Sequence, residues 1–170
     1  MKKTVKASET KAIGTYLVLP ENTNTLGNLM GGQLLHWMDI ISAISAHRFS
    51  KRIVVTAAVN NVSFQQPIKQ GDIVTIEAKV SRSFSSSMEV YMEVFVEDNY
   101  VGKKIKCNEA IYTFVAVDQL GNPIDVPELL PETEEEQKRF DGALRRRQLR
   151  LILAGKMKPE EASELKALFD

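Results

Sequence analysis

A helix-compatible run from Gly32 to Phe49 carries apolar residues on nearly every side: Leu34, Leu35, Trp37, Met38, Ile40, Ile41, Ala43, Ile44 and Ala46. A helix with one apolar stripe lies on a surface, whereas one that is apolar all round needs cover all round. The run is broken by His36 and Asp39 and is too short to cross a bilayer. It therefore predicts a buried helix, and the rest of the chain must supply its cover.

That cover reads as strands. Residues 11 to 20, KAIGTYLVLP, form a first strand closed by Pro20, and residues 21 to 30 a polar loop. After the helix, residues 53 to 65 are β-rich; Pro67 ends them and Gly71-Asp72 marks a turn. Residues 73 to 82 and 88 to 97 alternate and are joined by the turn SFSSS, 83 to 87. Residues 105 to 117, IKCNEAIYTFVAV, make the last strand. Strand, buried helix, then four strands predicts an α+β fold: one domain over residues 11–126, an antiparallel sheet wrapped around a long central helix.

Residues 127–170 change character and predict a C-terminal helical extension. Thr133 and Glu136 form a capping box just after Pro131, with acidic residues first and arginines later, as the helix dipole favours. Arg145 to Arg147 read as a solvated helix face. A short terminal helix is expected over residues 159–169.

The 170 residues hold 22 basic and 22 acidic side chains, so the basic excess of a nucleic-acid binder is missing. No nucleic acid or membrane partner is expected. The single cysteine, Cys107, allows no intrachain disulfide, and the start MKKTVKASETKAIG has no apolar stretch. A cytoplasmic location follows as the expectation. Two histidines and one cysteine, none at ligand spacing, predict no metal site.

Within the helix, Asp39 needs an explanation, because a buried carboxylate without partners is costly. It reads either as a helix-surface acid paired to a neighbour or as a general base or nucleophile. His36, three residues earlier, could orient it. His47 and Arg48 suit the helix C-terminus as structural residues, and Cys107 reads as an inert strand residue. Gly31 and Gly32 read as a tight loop-to-helix junction, or as a place where backbone N–H groups meet a developing negative charge. One such donor is worth about 3–4 kcal/mol of transition-state stabilisation.

The run NTLGNLMGGQLLHWMD, Asn24 to Asp39, resembles the signature of the acyl-CoA hydrolase branch of the hotdog thioesterases, matching at Asn24, Gly27, Gly31, Gly32, Met38 and Asp39. RIVVTAAVNNVSFQQPIKQGDIV resembles the strand, proline and Gly-Asp turn that follow in that family. VPELLPETEEEQKRF is similar to its mammalian cytosolic branch. The resemblance spans residues 12 to 145. It implies a single hotdog domain that hydrolyses acyl-CoA and assembles as a homo-oligomer, a dimer or trimer of dimers. CoA then enters as part of the substrate, with no separate cofactor. It also implies that Asn24 of one subunit faces Asp39 of another, with the backbone near Gly32 as oxyanion donor. Gly31, Asn60, Asn61, Arg82, Ser85, Ser86, Ser87 and Arg139 are the expected contacts to the rest of acyl-CoA; the two asparagines read alternatively as a bulge. Two rival readings stand beside it. A hotdog hydratase needs a His–carboxylate motif that His36 and His47 do not match. A non-catalytic acyl-CoA sensor of the known kind adds a DNA-binding helix-turn-helix, for which neither flank has the length or charge.

Overall fold

The computed structural model describes residues 2–60, 62–98 and 100–170. Alternation along the strands becomes one apolar sheet face. β4 (Ile73–Ser83) turns Val74, Ile76, Ala78 and Val80 inward, and β5 (Ser87–Glu97) turns Met88, Val90, Met92 and Val94 the same way. β6 (Lys104–Val117) adds Ala110, Tyr112, Phe114 and Ala116. All twelve are essentially inaccessible to solvent. Against them lies α1 (Gly31–Ser50), through Leu34, Trp37, Met38, Ile41 and Phe49. Burying one such side chain fully is worth about 1.5–3 kcal/mol, more than a typical internal hydrogen bond, so apolar contact is what seats the helix.

β2 (Ala12–Leu17) and β3 (Ile53–Asn60) complete an antiparallel sheet of order β2-β4-β5-β6-β3, leaving β2 and β3 as its edges. β2 approaches α1 so closely at Gly14 that an added Cβ would stand 2.4 Å from the Ile41 Cδ1 atom. Tyr16 stacks on Trp37 beside it. The expected α+β arrangement, a curled antiparallel sheet with a long helix, is present.

Several local expectations change. A parallel pair, β1 (Thr4–Lys6) with β7 (Glu128–Leu130), has no sequence signature, since three-residue strands show no period. The first strand ends at Leu17, and Pro20 opens a 3-10 turn instead of closing the strand. The strand expected through residue 65 ends at Asn60. The terminal helix contracts to a 3-10 turn, Pro159–Glu161, and the short α3, Ser163–Lys166. The central helix is not covered on all sides: Ile40 and Ile44 stay 41% and 39% exposed, because the sheet curls around only part of it.

α2 (Glu134–Leu153) begins at the expected capping box, in which Thr133 Oγ1 accepts from Glu136 N at 3.1 Å. It lies on the outer face of the sheet. Lys79 reaches Glu136 at 2.8 Å, Arg139 reaches Glu93 at 2.9 Å, and Arg146 grips Glu89 at 2.7 and 3.0 Å. The expectation of a solvated arginine face at residues 145–147 is thus corrected. The Glu89 side chain is only 6% exposed and needs a cation, which Arg146 provides.

Candidate active site

The pairing of β3 with β6 is interrupted between Thr56 and Ala58. A bulge shifts the facing of one strand relative to its partner and can re-aim a side chain. Thr56 is the last residue before the interruption; in regular alternation with Val54 it stands opposite Phe114, whose ring is buried under α1, so Thr56 turns toward the helix. Its hydroxyl donates to Asp39 Oδ1 at 2.6 Å. That bond orients the half-buried carboxylate, and among the described residues the second oxygen carries no partner. Tyr112 braces the same stretch of α1: its hydroxyl donates to the Leu35 carbonyl, one turn before Asp39, at 3.1 Å. Burial, and then the nearby Asp39 charge, pushes the Tyr112 phenol up to about 12.

Thr56 was missed in the sequence, and His36 was considered in its place. The available signal was a lone hydroxyl in the apolar run IVVTAAV, on the strand that follows directly from the helix.

At the other end of the helix, Met30 stands at the N-cap with no side-chain cap. Among the described residues the first-turn N–H groups therefore meet no side-chain anion, as an anion-binding helix start requires. A Cβ at Gly31 would meet the Phe64 ring at 3.2 Å, whereas Gly32 faces open space. Asn24 Oδ1 accepts from the N–H of Leu26 (3.0 Å) and of Asn28 (3.2 Å), which holds the preceding loop and leaves the Asn24 amide nitrogen available to donate. Gly27, at φ 74°, closes that loop through Gly27 N to Asn24 O at 3.0 Å.

A cavity of about 320 Å³ brings together Asn24, Gly31, Leu34, Phe64, Cys107 and Asn108. Burial pushes the Cys107 thiol up, away from the reactive thiolate form. Asp39 is not part of this lining. It lies about two turns along α1 from Gly32, roughly 10 Å at 1.5 Å per residue. One protomer therefore presents two separate groups: Asn24 with the helix start, and Asp39 with Thr56.

Of the residues expected to meet the remainder of acyl-CoA, Gly31 lies at the start of α1, while the others described lie at the β4–β5 turn, the end of β3 and α2. Arg82 donates to the Phe140 carbonyl at 3.0 Å and lies over that residue's ring. Arg139 is held by Glu93 and Glu135 and stacks on Tyr91. Ser85, Ser86 and Ser87 sit at the β4–β5 turn and use backbone carbonyls to hold Val126, Ala116 and Phe84. Asn60 lines a second cavity beside α2. Asn61 lies outside the described residues, and the observed bulge is at Thr56–Ala58, ahead of Asn60. His36 is exposed, and His47 Nδ1 bonds the Arg52 carbonyl at 2.9 Å. Among the described residues no group of three His, Cys, Asp or Glu could hold a metal ion, and no helix is long and apolar enough to cross a membrane.

A curled antiparallel sheet on a long helix that begins at Gly-Gly and carries an acid two turns on defines a class: the model of the thioesterase superfamily matches residues 26–103. The chain is 40% identical over 138 residues to an uncharacterised acyl-CoA thioester hydrolase of Bacillus subtilis, covering 81% of this chain and 80% of the relative. Its fold superposes on the acyl-CoA hydrolase of Bacillus cereus with a TM-score of 0.86 at 34% identity, over 91% and 94% of the two chains. A similar match, TM-score 0.85 at 34% identity over 92% and 95%, is to a Staphylococcus aureus acyl-CoA hydrolase solved with coenzyme A. Solved variants of that staphylococcal enzyme replace an Asn, an Asp or a Thr by Ala. Other similar structures are described as hexameric acyl-CoA thioesterases. The chain belongs to the acyl-CoA hydrolases, a family of thioester-hydrolysing enzymes with the hotdog fold.

Proposed function

We propose that this protein hydrolyses acyl-CoA to a free carboxylic acid and CoA, in an active site completed by a second copy of the chain. The observation that carries this reading is the oriented Asp39–Thr56 pair, set in a protomer whose helix start and Asn24 lie elsewhere. Beside the pair the surface is apolar and open: Ile40 and Ile44 of α1 with Val59 of the edge strand β3, each 39–46% exposed. An apolar face beside an unpaired strand edge favours self-association. The hexameric descriptions of similar thioesterases support an oligomer. Asn24, Asp39 and Thr56 also stand at the same spacing as the Asn, Asp and Thr replaced in the staphylococcal enzyme.

The chemistry follows from these groups. The thioester carbonyl accepts a hydrogen bond from the N–H at Gly32, where the helix dipole favours the developing oxyanion. The Asn24 amide nitrogen orients the thioester from the same side. Asp39 of the second copy takes a proton from water as it attacks, or attacks the carbonyl itself to give an anhydride that water then opens. Either route expels the CoA thiolate, a good leaving group that needs little acid assistance. Thr56 keeps the Asp39 carboxylate in one rotamer through the step.

The test is thiol release from acyl-CoAs running from acetyl to stearoyl, with the unaltered protein and Asp39→Asn. Loss of general-base or nucleophilic function predicts a fall in kcat of about a hundredfold or more with the oligomer unchanged. Equal turnover by the two proteins would remove Asp39 from the mechanism, and absence of thiol release from every substrate would refute the hydrolase reading.

A further inference from the structure

At the end of α1 remote from Gly31, a cavity of about 580 Å³ opens where the helix end, β1 and the segment before β7 meet. Its floor is apolar and buried, built on Phe49 and Val126. Five cations line it: Lys2 and Lys3 ahead of β1, Arg48 in the last turn of α1, and Lys51 and Arg52 in the turn that follows. Two acids, Glu9 and Asp125, stand against them. The chain as a whole balances its charges at 22 of each sign, so this surplus of three positive charges is a local one.

Among the described residues none of the five cations pairs with a carboxylate. Glu9 is committed to the backbone, accepting from the Lys6 N–H at 3.2 Å. Arg48 donates to the Lys11 carbonyl. The helix dipole accounts for Arg48, but not for Lys51 and Arg52 beyond the helix or for Lys2 and Lys3 on another element. The frame that gathers them is held by hydrogen bonds. Lys51 N donates to the His47 carbonyl at 2.8 Å, His47 Nδ1 bonds the Arg52 carbonyl at 2.9 Å, and Glu128 N donates to the Lys3 carbonyl at 2.9 Å. Like charges collected on a fixed frame repel one another, and an anion between them removes that cost.

We propose that this cavity binds an anion carrying two linked phosphate groups, at a place separate from the catalytic groups. One phosphate group, at about −1.5 to −2 charge, leaves part of the surplus unmatched, whereas two meet it. Guanidinium forks from Arg48 and Arg52 match phosphate oxygens, and the lysines add point charges. The volume falls within the roughly 300–1,000 Å³ of small-molecule sites. Ser50, the end of α1, lies roughly 16 Å beyond Asp39 at 1.5 Å per residue. The bound anion ties the end of α1 to the start of β3, the two elements that carry Asp39 and Thr56.

The test is calorimetric titration with inorganic diphosphate at fixed ionic strength, together with the melting temperature. The unaltered protein should bind and melt higher with diphosphate present. Arg52→Gln should weaken Kd about tenfold or more through loss of a charge-assisted contact. Lys51→Gly should weaken it as well. Lys51 stands at φ 56°, a region glycine favours, so that change removes a charge without straining the fold. Lys103→Gln removes the same charge just ahead of β6, whose opposite end pairs with Ile53, and should leave Kd as it was. No binding by the unaltered protein, or a Kd unchanged in Arg52→Gln and Lys51→Gly, overturns the proposal. So does Lys103→Gln weakening binding as much as they do, or sulfate at equal ionic strength raising the melting temperature as far as diphosphate. A KM for butyryl-CoA raised in both cavity variants would make the cavity part of the substrate site and overturn its separateness. ADP binding at least tenfold tighter than diphosphate would support the site with a nucleoside diphosphate as its ligand, and equal affinities would support it with diphosphate alone.

Discussion

Asp39 was legible in the sequence as a polar interruption of an apolar helix, and Asn24 as part of a spaced motif, yet neither has a meaning without its partners. What holds Asp39 is Thr56; alternation with Val54 gives that residue its facing, but the pattern carries no sign that it meets a carboxylate 17 residues earlier on the helix. Thr56→Val is expected to lower kcat for acyl-CoA about tenfold while leaving KM near its original value, since the lost bond is a net contribution of about 1 kcal/mol acting on orientation. Steady-state kinetics check this, and Thr56→Ser should restore most of the rate. A rise in KM alone would place Thr56 in substrate binding instead. Tyr112→Phe removes the hydroxyl that braces the Leu35 carbonyl. It should cost about 0.5–1.5 kcal/mol of stability, read by denaturant unfolding. Arg82 and Arg139, expected contacts to acyl-CoA, show the other side of single-residue reading: composition marks a cation but not which carboxylate or carbonyl it also meets.

The elements divide by how local their causes are. The start of α2 could be read in advance because a capping box depends on residues three apart, and the structure has it. Thr133→Ala should therefore cost about 1 kcal/mol in thermal or urea unfolding. The pairing of β1 with β7 could not be read, because it joins segments far apart along the chain and rests on three residues each. Gly14 carries no local signal either, yet β2 can approach α1 there only without a side chain. Gly14→Ala should overpack Ile41 and cost about 1–3 kcal/mol. Glu136 ties α2 to β4. Burial alone would raise its pKa, but hydrogen bonds from Lys79 and from the backbone N–H of Glu132 and Thr133 hold it below the ordinary range. A depressed folded-state pKa contributes stability above the unfolded value of about 4.3, and that stability is lost as pH falls through the folded value. Unfolding free energy should thus fall on acidification below about pH 5, and less steeply in Glu136→Gln.

At the scale of the whole molecule, the proposed two-copy site makes the open stripe of α1 and the exposed edge strand β3 the expected contact surface between protomers. Ile44→Glu places a charge on that face and should leave the protomer's circular dichroism intact while dissociating the oligomer in light scattering and abolishing thiol release. Dissociation with full activity retained would show that one chain is enough. The sequence by itself determined the local order: a long apolar helix, alternating strands around it, a capped C-terminal helix, and the Asn24-to-Asp39 motif. These follow from periodicity and short-range hydrogen bonding, which act between residues close along the chain. Only the tertiary structure decided that the sheet covers part of the helix, that Thr56 meets Asp39, and that Arg146 is taken by Glu89 while Arg147 and Arg150 are not. Those outcomes depend on strand register and on how far the sheet curls, and both are set by contacts among residues that meet only when the chain is folded.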